Sequence, residues 1–479
     1  MEQLSPPTPR LKRPGGRAGA ARLARSGAVV FSASGIDMIA QLLRNAIFGR
    51  LLSVADFGII ATFSILLTLM DAAVSNGLSQ MAVQARDADD PKLQGSLHAI
   101  QLVLGAITAL LLLAIAWPYS YAIGTPGLGW AYASLALVPL IRGLAHLDSL
   151  RLQRQGRYLP SMLRQTVPPI VALITIWPAY LLFGDFRLAL LTIYAQQLAL
   201  LLATHLGARQ PYRLRYDREN FRRAFAFGWP LMANALLLYV VFNGDRIIVS
   251  NRFGLQTLGW FSAGVMLTML PMNFVAKSFQ SLLLPVLARH QDDPPRLQRL
   301  YEQTASLLAI VAAGFVIGTA LAGREVITFV FGHKFEPALP YLLLLALMQG
   351  LRLIRAASAL AALSRAETKN PLIANLVRGL FIALSLALAV LTRDIYLMLA
   401  AGIAGEVAAG IVAAWQAERM LRLAARHAVL VTLVTALLGG AVVLVALDGW
   451  SPWIVMPALL LFLWVVRDVL FHARDLLKG

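Results

Sequence analysis

The sequence has no cysteine and little charge. The first absence excludes disulfides, thiolate metal sites and cysteine nucleophiles. Charged residues make up 14% of the chain, against about 25% in soluble domains. Acids are scarcest, with 24 Asp and Glu against 42 Lys and Arg. No Gly-x-x-x-x-Gly-Lys-Ser/Thr loop occurs, so the chain is not expected to hydrolyse ATP itself. His98 and His146 have no second His or carboxylate at ligand spacing, so neither a metal site nor a cofactor is expected.

What is present is apolar. Hydrophobic residues make up 58% of the chain, in runs such as Leu102 to Trp117 and Leu380 to Leu391. A bilayer span takes about 20 predominantly apolar residues. Hydropathy predicts an all-α integral membrane protein of 14 transmembrane helices. The first six lie near 26–49, 56–80, 94–117, 127–150, 159–183 and 186–207. The next six lie near 226–250, 258–287, 301–322, 340–363, 371–391 and 394–416, followed by 428–447 and 453–471. Residues 1–25, basic and proline-rich, read as a disordered tail, and the first apolar run as a retained span rather than a signal peptide. The chain then divides into a lobe at 26–207, a basic linker at 208–225, a second lobe at 226–416, a loop at 417–427, a helix pair at 428–471 and a tail at 472–479.

Fourteen spans place both termini on one side. That side carries 27 of the 42 Lys and Arg, and the other carries six: Arg50, Arg187, Arg252, Arg324, Lys334 and Arg393. The positive-inside rule makes the terminal side cytoplasmic. The net charge of +18 is thereby accounted for without a nucleic-acid partner. The arginines of the linker, from Arg209 to Arg223, read as an anchor on anionic membrane lipid.

The second half repeats the first. Arg50-Leu-Leu-Ser-Val-Ala-Asp-Phe-Gly58 is matched by Arg252-Phe-Gly-Leu-Gln-Thr-Leu-Gly259, and Ser79-Gln80 with Arg86 by Gln280-Ser281 with Arg289. An offset of six spans gives both halves one orientation. It predicts two six-helix lobes related by a pseudo-two-fold axis along the membrane normal, with a substrate site between them.

Three segments carry a family resemblance. One runs from Phe225-Ala-Phe-Gly-Trp-Pro230 through Asn243-Gly-Asp245-Arg246, Arg252-Phe-Gly and Leu270-Pro271 to Leu284-Pro-Val-Leu-Ala-Arg289. The others are Gly49-Arg50-Leu-Leu-Ser-Val-Ala-Asp56-Phe-Gly58 with Gly77-Leu-Ser-Gln80, and Phe331-Gly-His-Lys-Phe-Glu-Pro337-Ala-Leu-Pro340. Together they resemble the polysaccharide-flippase branch of the multidrug/oligosaccharidyl-lipid/polysaccharide exporter superfamily. The resemblance implies a protein of the bacterial inner membrane. It would move undecaprenyl-diphosphate-linked sugar repeat units between leaflets by alternating access, in company with a polysaccharide polymerase and glycosyltransferases. It departs from the family at Met266, where members often carry an arginine five residues before the proline of the eighth helix.

Ionisable residues inside spans are costly and usually face a cavity or a partner. The cations here are Arg44, Arg142, Arg164, Arg246, Lys277, Arg352, Arg355, Arg378 and Arg467; the acids are Asp37, Asp71, Asp148, Asp245 and Glu406. Arg binds phosphate oxygens bidentately, so the excess of cations suits a diphosphate. Arg44, Lys277, Arg352, Arg355, Arg142 and Arg378 are the expected substrate-binding residues, and Asp37, Asp71 and Glu406 the candidates for ion coupling. Asp37, Gln41, Arg44 and Asn45 share one helical face. Arg164 and Arg467 are expected to snorkel and Asp148 to be wet. Asp245 and Arg246, adjacent, point about 100° apart, which leaves a structural role at the end of the seventh helix as good a reading for them as a functional one. Pro168-Pro169, Pro230 and Pro271 are expected to kink their helices.

A multidrug antiporter would need an acidic cavity for its mostly cationic substrates. A membrane glycosyltransferase or polymerase would need a large outer loop with catalytic residues; the longest expected is Gly323 to Leu339. The topology can be tested directly. Reporter fusions at Leu128 and Asp448 are expected to report the outside, and fusions at Tyr216 and the C-terminus the inside; an external C-terminus would overturn the orientation.

Overall fold

The computed structural model describes residues 35–478 apart from 75–77, 79, 80, 84, 86 and 88. The expected tail at 1–25, the start of the first span and part of the repeated Ser79-Gln80-Arg86 segment lie outside the described residues. Among the described residues the regular structure is helical throughout, with no strand. Helix α1 covers 35–51 and α2 Val54–Val74, followed by α3 at Pro91–Ala122. Three short helices come next: α4 Gly129–Ser134, α5 Leu137–Gly143 and α6 Asp148–Arg154. Helices α7 (Leu159–Phe183) and α8 (Arg187–Leu206) complete the first half. The second half holds α9 (Arg218–Arg289), α10 (Pro294–Phe331), α11 (Leu339–Ser364), α12 (Lys369–Thr392) and α13 (Ile395–Leu421). Helices α14 (Arg426–Asp448) and α15 (Val455–Lys478) end the chain.

The scarce acids are spent in part on helix starts. Asp90, Asp217, Asp293 and Asp394 cap α3, α9, α10 and α13, each accepting a hydrogen bond from a backbone N–H of the first turn. Gly184 ends α7 at φ 65°, a left-handed conformation that costs glycine little. The boundary expected at Gly184-Asp185 therefore has a backbone cause.

By length and composition, ten described helices can cross a membrane, or eleven if one bent pair is counted as a span. Fourteen was expected, and the two numbers differ for local reasons. Helix α9 runs for 72 residues and is broken only at Gly254, at φ 85° and ψ 172°, so the loop expected at 251–257 is helical on both sides of one glycine. Helix α1 is described only over its 17 residues from 35 to 51, short of a full span. The span expected at 127–150 is not one helix: α4, α5 and α6 are separate, and the two arms of the bent pair meet at 47°. The outer loop expected at Gly323 to Leu339 is also absent. Helix α10 continues to Phe331, and a 3-10 turn over His333–Ala338 leads into α11.

Buried apolar clusters form within each half, and several join them. Phe48, Leu52, Phe57 and Ile60 of the first half pack with Ala263, Ile327, Phe331 and Phe335 of the second. Phe57 meets Phe331 and Phe335 edge-on, with ring centroids 5.5 and 5.3 Å away. The most extensive helix contact is between α2 and α9, and it is made by the two repeat glycines. A Cβ on Gly58 would overlap the Leu255 carbonyl, and one on Gly259 would overlap the Val54 carbonyl. Beside them the halves exchange cations at helix C-termini. The Arg50 guanidinium donates to the carbonyls of Phe329 and, at 3.3 Å, Val330. The Lys334 ammonium donates to Leu52 O and, at 3.0 Å, to Arg50 O. Each positive side chain thus satisfies the carbonyl end of a helix from the other half.

Gly58→Ala is expected to cost about 1–3 kcal/mol, the usual range for overpacking, because the obstacle is backbone. Gly314→Ala, where nothing lies within 4 Å, should be neutral or stabilising. Thermal denaturation of the purified variants in detergent measures both; equal behaviour would remove the tight contact from the fold.

Candidate functional site

Four adjoining cavities run between and into the halves. The largest, about 530 Å³, lies in the first half and is bordered by Asp37, Asp71, Arg142, Arg164, Gln196 and Gln197 among others. Asp71 also borders a second cavity of about 420 Å³, shared with Thr68, Asn243 and Arg246. Arg246 in turn borders a third of about 210 Å³, with Arg44, Ser64, Ser262 and Met266. Phe242 joins the second to a fourth of about 240 Å³ in the second half, which has Asn273, Gln349, Arg352, Arg355 and Asn375 on its wall. The polar face expected on α1 thus borders cavities, as do Ser64, Thr68 and Asp71 of α2 and Gln349, Arg352 and Arg355 of α11.

The second half holds a buried ion cluster. Glu406 of α13 is fully buried. Its Oε1 accepts from Arg352 Nη2 at 2.6 Å, Arg352 Nε at 3.0 Å and Arg378 Nε at 3.1 Å. Arg355 Nη2 lies 3.6 Å from Oε2. Arg378, also fully buried, reaches Asp245 Oδ2 of α9 at 2.7 Å. Three of the expected substrate-binding arginines therefore converge, but on two carboxylates rather than on open space. Glu406, expected as a candidate for ion coupling, is enclosed by three guanidiniums. Arg352 also lies over the Phe242 ring, 4.7 Å from its centroid.

The first half distributes its charges differently. Arg142 pairs with Asp71 and donates from Nε to Gln197 Oε1 at 2.9 Å. Arg44 Nη1 donates to Gln196 Oε1 at 2.7 Å, and Asp37 accepts instead from Gln41 Nε2 at 3.0 Å. Arg164 does not snorkel. It borders the largest cavity, and its Nη1 is buried without a hydrogen-bond partner. Lys277 is exposed and borders none of these four cavities. Arg467 stacks on Trp464 with its guanidinium carbon 5.6 Å from the ring centroid.

For Arg246 the sequence left a structural and a functional role equally open. It borders the second and third cavities, donates from Nη1 to Asn243 Oδ1 at 3.3 Å, and leaves Nε buried and unpartnered. The signal for it was weak, because its neighbour Asp245 shares the motif while turning to Arg378 on another face.

Asp148 is not wet. It is buried and accepts from Arg151 Nε at 2.6 Å and from the Arg209 and Gln210 amides at 2.7 and 3.3 Å. His98 and His146 are not isolated. Their rings lie 4.7 Å apart and pack with His205 and Tyr212. His146 Nε2 pairs with Gln210 O at 3.0 Å, and the Arg215 amide donates to Gly95 O at 3.1 Å. His146 also lies beyond the end of α5, off the face of Arg142. The arginine-rich linker is thus docked on the first half. Arg223 joins it by bonds of 2.7 and 3.0 Å to Asp87, and this guanidinium holds the Asp87 carboxyl below the usual carboxylate range. Among the described residues no group of three His, Cys, Asp or Glu could hold a metal ion.

The buried cluster yields a stability prediction. Glu406→Gln leaves three guanidiniums without their shared negative charge and puts an N–H donor among them, and is expected to cost about 3–5 kcal/mol. Arg187→Gln, which breaks a largely exposed pair with Asp185, should be nearly neutral. Thermal denaturation at matched detergent compares the two, and similar losses would show that the cluster carries no special weight.

Known proteins share the chain's sequence and fold. A succinoglycan biosynthesis transport protein of Rhizobium meliloti is 22% identical over 306 residues, covering 64% of this chain and 62% of that one. An amylovoran biosynthesis protein of Erwinia amylovora is 21% identical over 264 residues, covering 54% and 68%. The chain therefore spans about two thirds of the length of these relatives. Among solved structures, an inward closed form of the lipid II flippase MurJ aligns with TM-score 0.66 at 13% identity, covering 94% of this chain and all of that one. An inward-facing multidrug resistance MATE family transporter aligns with TM-score 0.64 at 15% identity, covering 81% and 94%. These likenesses establish the fold. The family's own sequence pattern matches residues 47–340, more than half of the chain, and this multi-pass membrane protein belongs to the polysaccharide biosynthesis protein family.

Proposed function

We propose that the protein is a flippase that moves undecaprenyl-diphosphate-linked oligosaccharide units across the bacterial inner membrane for surface polysaccharide synthesis. The observation that carries this reading is the row of adjoining polar cavities inside an apolar helical bundle. Unpaired charge at that depth is expensive without a path or a ligand. Arg44, Arg142, Arg164, Arg246, Arg352 and Arg355 border the four cavities, against Asp37 and Asp71 as the acids singled out there. A cationic lining favours an anionic headgroup over the cationic substrates of a multidrug antiporter. The printed names of the relatives, which concern transport in polysaccharide biosynthesis and the flipping of lipid II, support the same direction.

In this reading the two halves rock about the contact at Gly58 and Gly259 and expose the cavities to each side in turn. The Arg50 and Lys334 exchange closes the end of the molecule away from the basic linker. Glu406 is occupied by three arginines, so ion coupling falls to Asp37 and Asp71, which border the first-half cavity. Partners of such a carrier are the membrane lipid, the glycosyltransferases that build its substrate and the polymerase that consumes it. The carrier itself moves the substrate without bond chemistry or cofactor.

Purified protein in liposomes is expected to translocate a lipid diphosphate bearing a short glycan with no ATP present. Export of cationic dyes with no movement of the lipid diphosphate would replace this reading with the antiporter one.

A further inference from the structure

We propose that the 240 Å³ cavity inside the second half, bordered by Arg352, Arg355 and side-chain amides, holds one small monovalent anion of the halide class as the counter-ion of the buried ion cluster. The site goes beyond the transport reading and does not depend on it. Its starting point is a charge count. Arg352, Arg355 and Arg378 bring three positive charges to the two negative ones of Asp245 and Glu406. An unbalanced charge at membrane depth is costly.

The surplus lies with Arg355. Arg378 donates to each of the two carboxylates. Arg352 gives two bonds to Glu406 and has the Phe242 ring against its other side. Arg355 stands off. Its Nη2 is 3.6 Å from Glu406 Oε2, too far for a hydrogen bond, and its Nη1 is buried with no hydrogen-bond partner. The side chain is only 10% exposed, so bulk water does not serve it. Glu406 Oε2 and Asp245 Oδ1 are unpartnered too, but both residues lie off the cavity wall.

The wall itself suits an anion. It carries no carboxylate. Asn273, Gln349 and Asn375 are on it, and among the described residues no hydrogen bond engages their side chains. Each amide can therefore turn an N–H inward without giving up a bond. Asn370 is already committed, donating to Ala413 O at 2.7 Å. The volume far exceeds the roughly 10–15 Å³ that one enclosed water needs, so a small ion fits together with part of its hydration. A surplus of one calls for one negative charge, and a dianion would overshoot it. All of the wall comes from the second half, so the anion travels with that half and closes the charge balance of the network that joins its helices.

The test is thermal denaturation of the purified full-length protein in detergent as chloride replaces gluconate at fixed ionic strength. A ligand of the folded state raises the melting temperature in proportion to its occupancy and affinity. Wild type is expected to show this rise with chloride and with bromide, and to broaden the chloride NMR signal. Arg355→Gln is expected to lose both responses, through a site weakened about tenfold or more. Arg187→Gln, which removes an exposed positive charge, should respond as wild type does. Asn375→Asp places a tethered anion on the wall. It should melt in gluconate close to where wild type melts in chloride, and it should no longer respond to chloride. If Arg355→Gln does not fold, Asn375→Asp carries the comparison, and an undiminished chloride response in it overturns the site. A wild-type melting temperature indifferent to chloride overturns the proposal and gives the cavity to water. An equal response in Arg355→Gln overturns it as a general salt effect. Neither result touches the transport reading, which the liposome assay tests separately. Release of the bound chloride by undecaprenyl diphosphate overturns the counter-ion and gives the cavity to a lipid headgroup instead.

Discussion

Arg378 is a guanidinium buried completely inside a helical membrane protein, and it ties α9, α11, α12 and α13 together. Moving such an ion out of water costs several kcal/mol even after relaxation. The cost is met by Asp245 on one side and Glu406 on the other, and Glu406 is met in turn by Arg352 and Arg355 from α11. The five side chains carry a net charge of +1, so the cluster is a nearly neutral knot. An ion-pair network of this kind also fixes orientation. Any rotation of α12 would unpair at least two charges at once, so the network opposes movement of α12 relative to α9, α11 and α13.

That knot determines what the remaining charges can do. Once Arg378, Glu406 and Asp245 are engaged, and Asp71 is engaged by Arg142, Arg44 and Arg246 border the cavity between the halves without a side-chain ion pair among the described residues. A larger number of buried arginines does not mean a larger binding site. The carboxylates sort them into those that hold the fold and those that border a cavity without an ion pair among the described residues. The same pairing separates the carboxylates: Glu406 is enclosed by arginines, while Asp37 accepts, among the described residues, from the neutral donor Gln41. A carboxylate with a neutral partner can exchange a proton or a cation without leaving a guanidinium exposed.

The fold was legible because its signal is local. Apolar runs of bilayer length and the glycine at 184 can be read without knowing what packs against what. The exceptions also have local causes that hydropathy does not record. Gly254 breaks α9 without a polar loop, and the stretch from Gly129 to Arg154 is apolar enough for one span while its backbone turns at Leu135 to Leu137 and at Leu144 to Leu147. The site was less legible. Arg352, Arg355 and Arg378 were recognisable as buried cations, but their acceptors come from 28 to 133 residues away, and no spacing encodes such a pairing. His98, His146, His205 and Tyr212 assemble in the same long-range way, as does Asp148 with the linker amides. Arg246 shows the limit most plainly. Sequence gives the 100° between it and Asp245 but not which of the two faces the cavity.

The repeat links the fold to the site. Arg50 to Gly58 and Arg252 to Gly259 were recognised as two copies of one pattern, and in the structure the last glycine of each copy sits against the backbone of the other copy. A contact between bare backbones has no side chains to repack, so it tolerates rolling better than interdigitated side chains, whose packing is dense and resists deformation. Around it lie the bonds that must break for the halves to part: the Arg50 and Lys334 caps and the Phe57, Phe331 and Phe335 rings. The cap bonds join charged donors to backbone carbonyls at the surface, where water can replace them at small net cost. The ion cluster that fixes the second half is deep, and the bonds that hold the halves together at this end are shallow. This difference in depth suits the rocking proposed above, with each half keeping its own packing and with Arg44 and Arg246 on either side of the boundary between the halves.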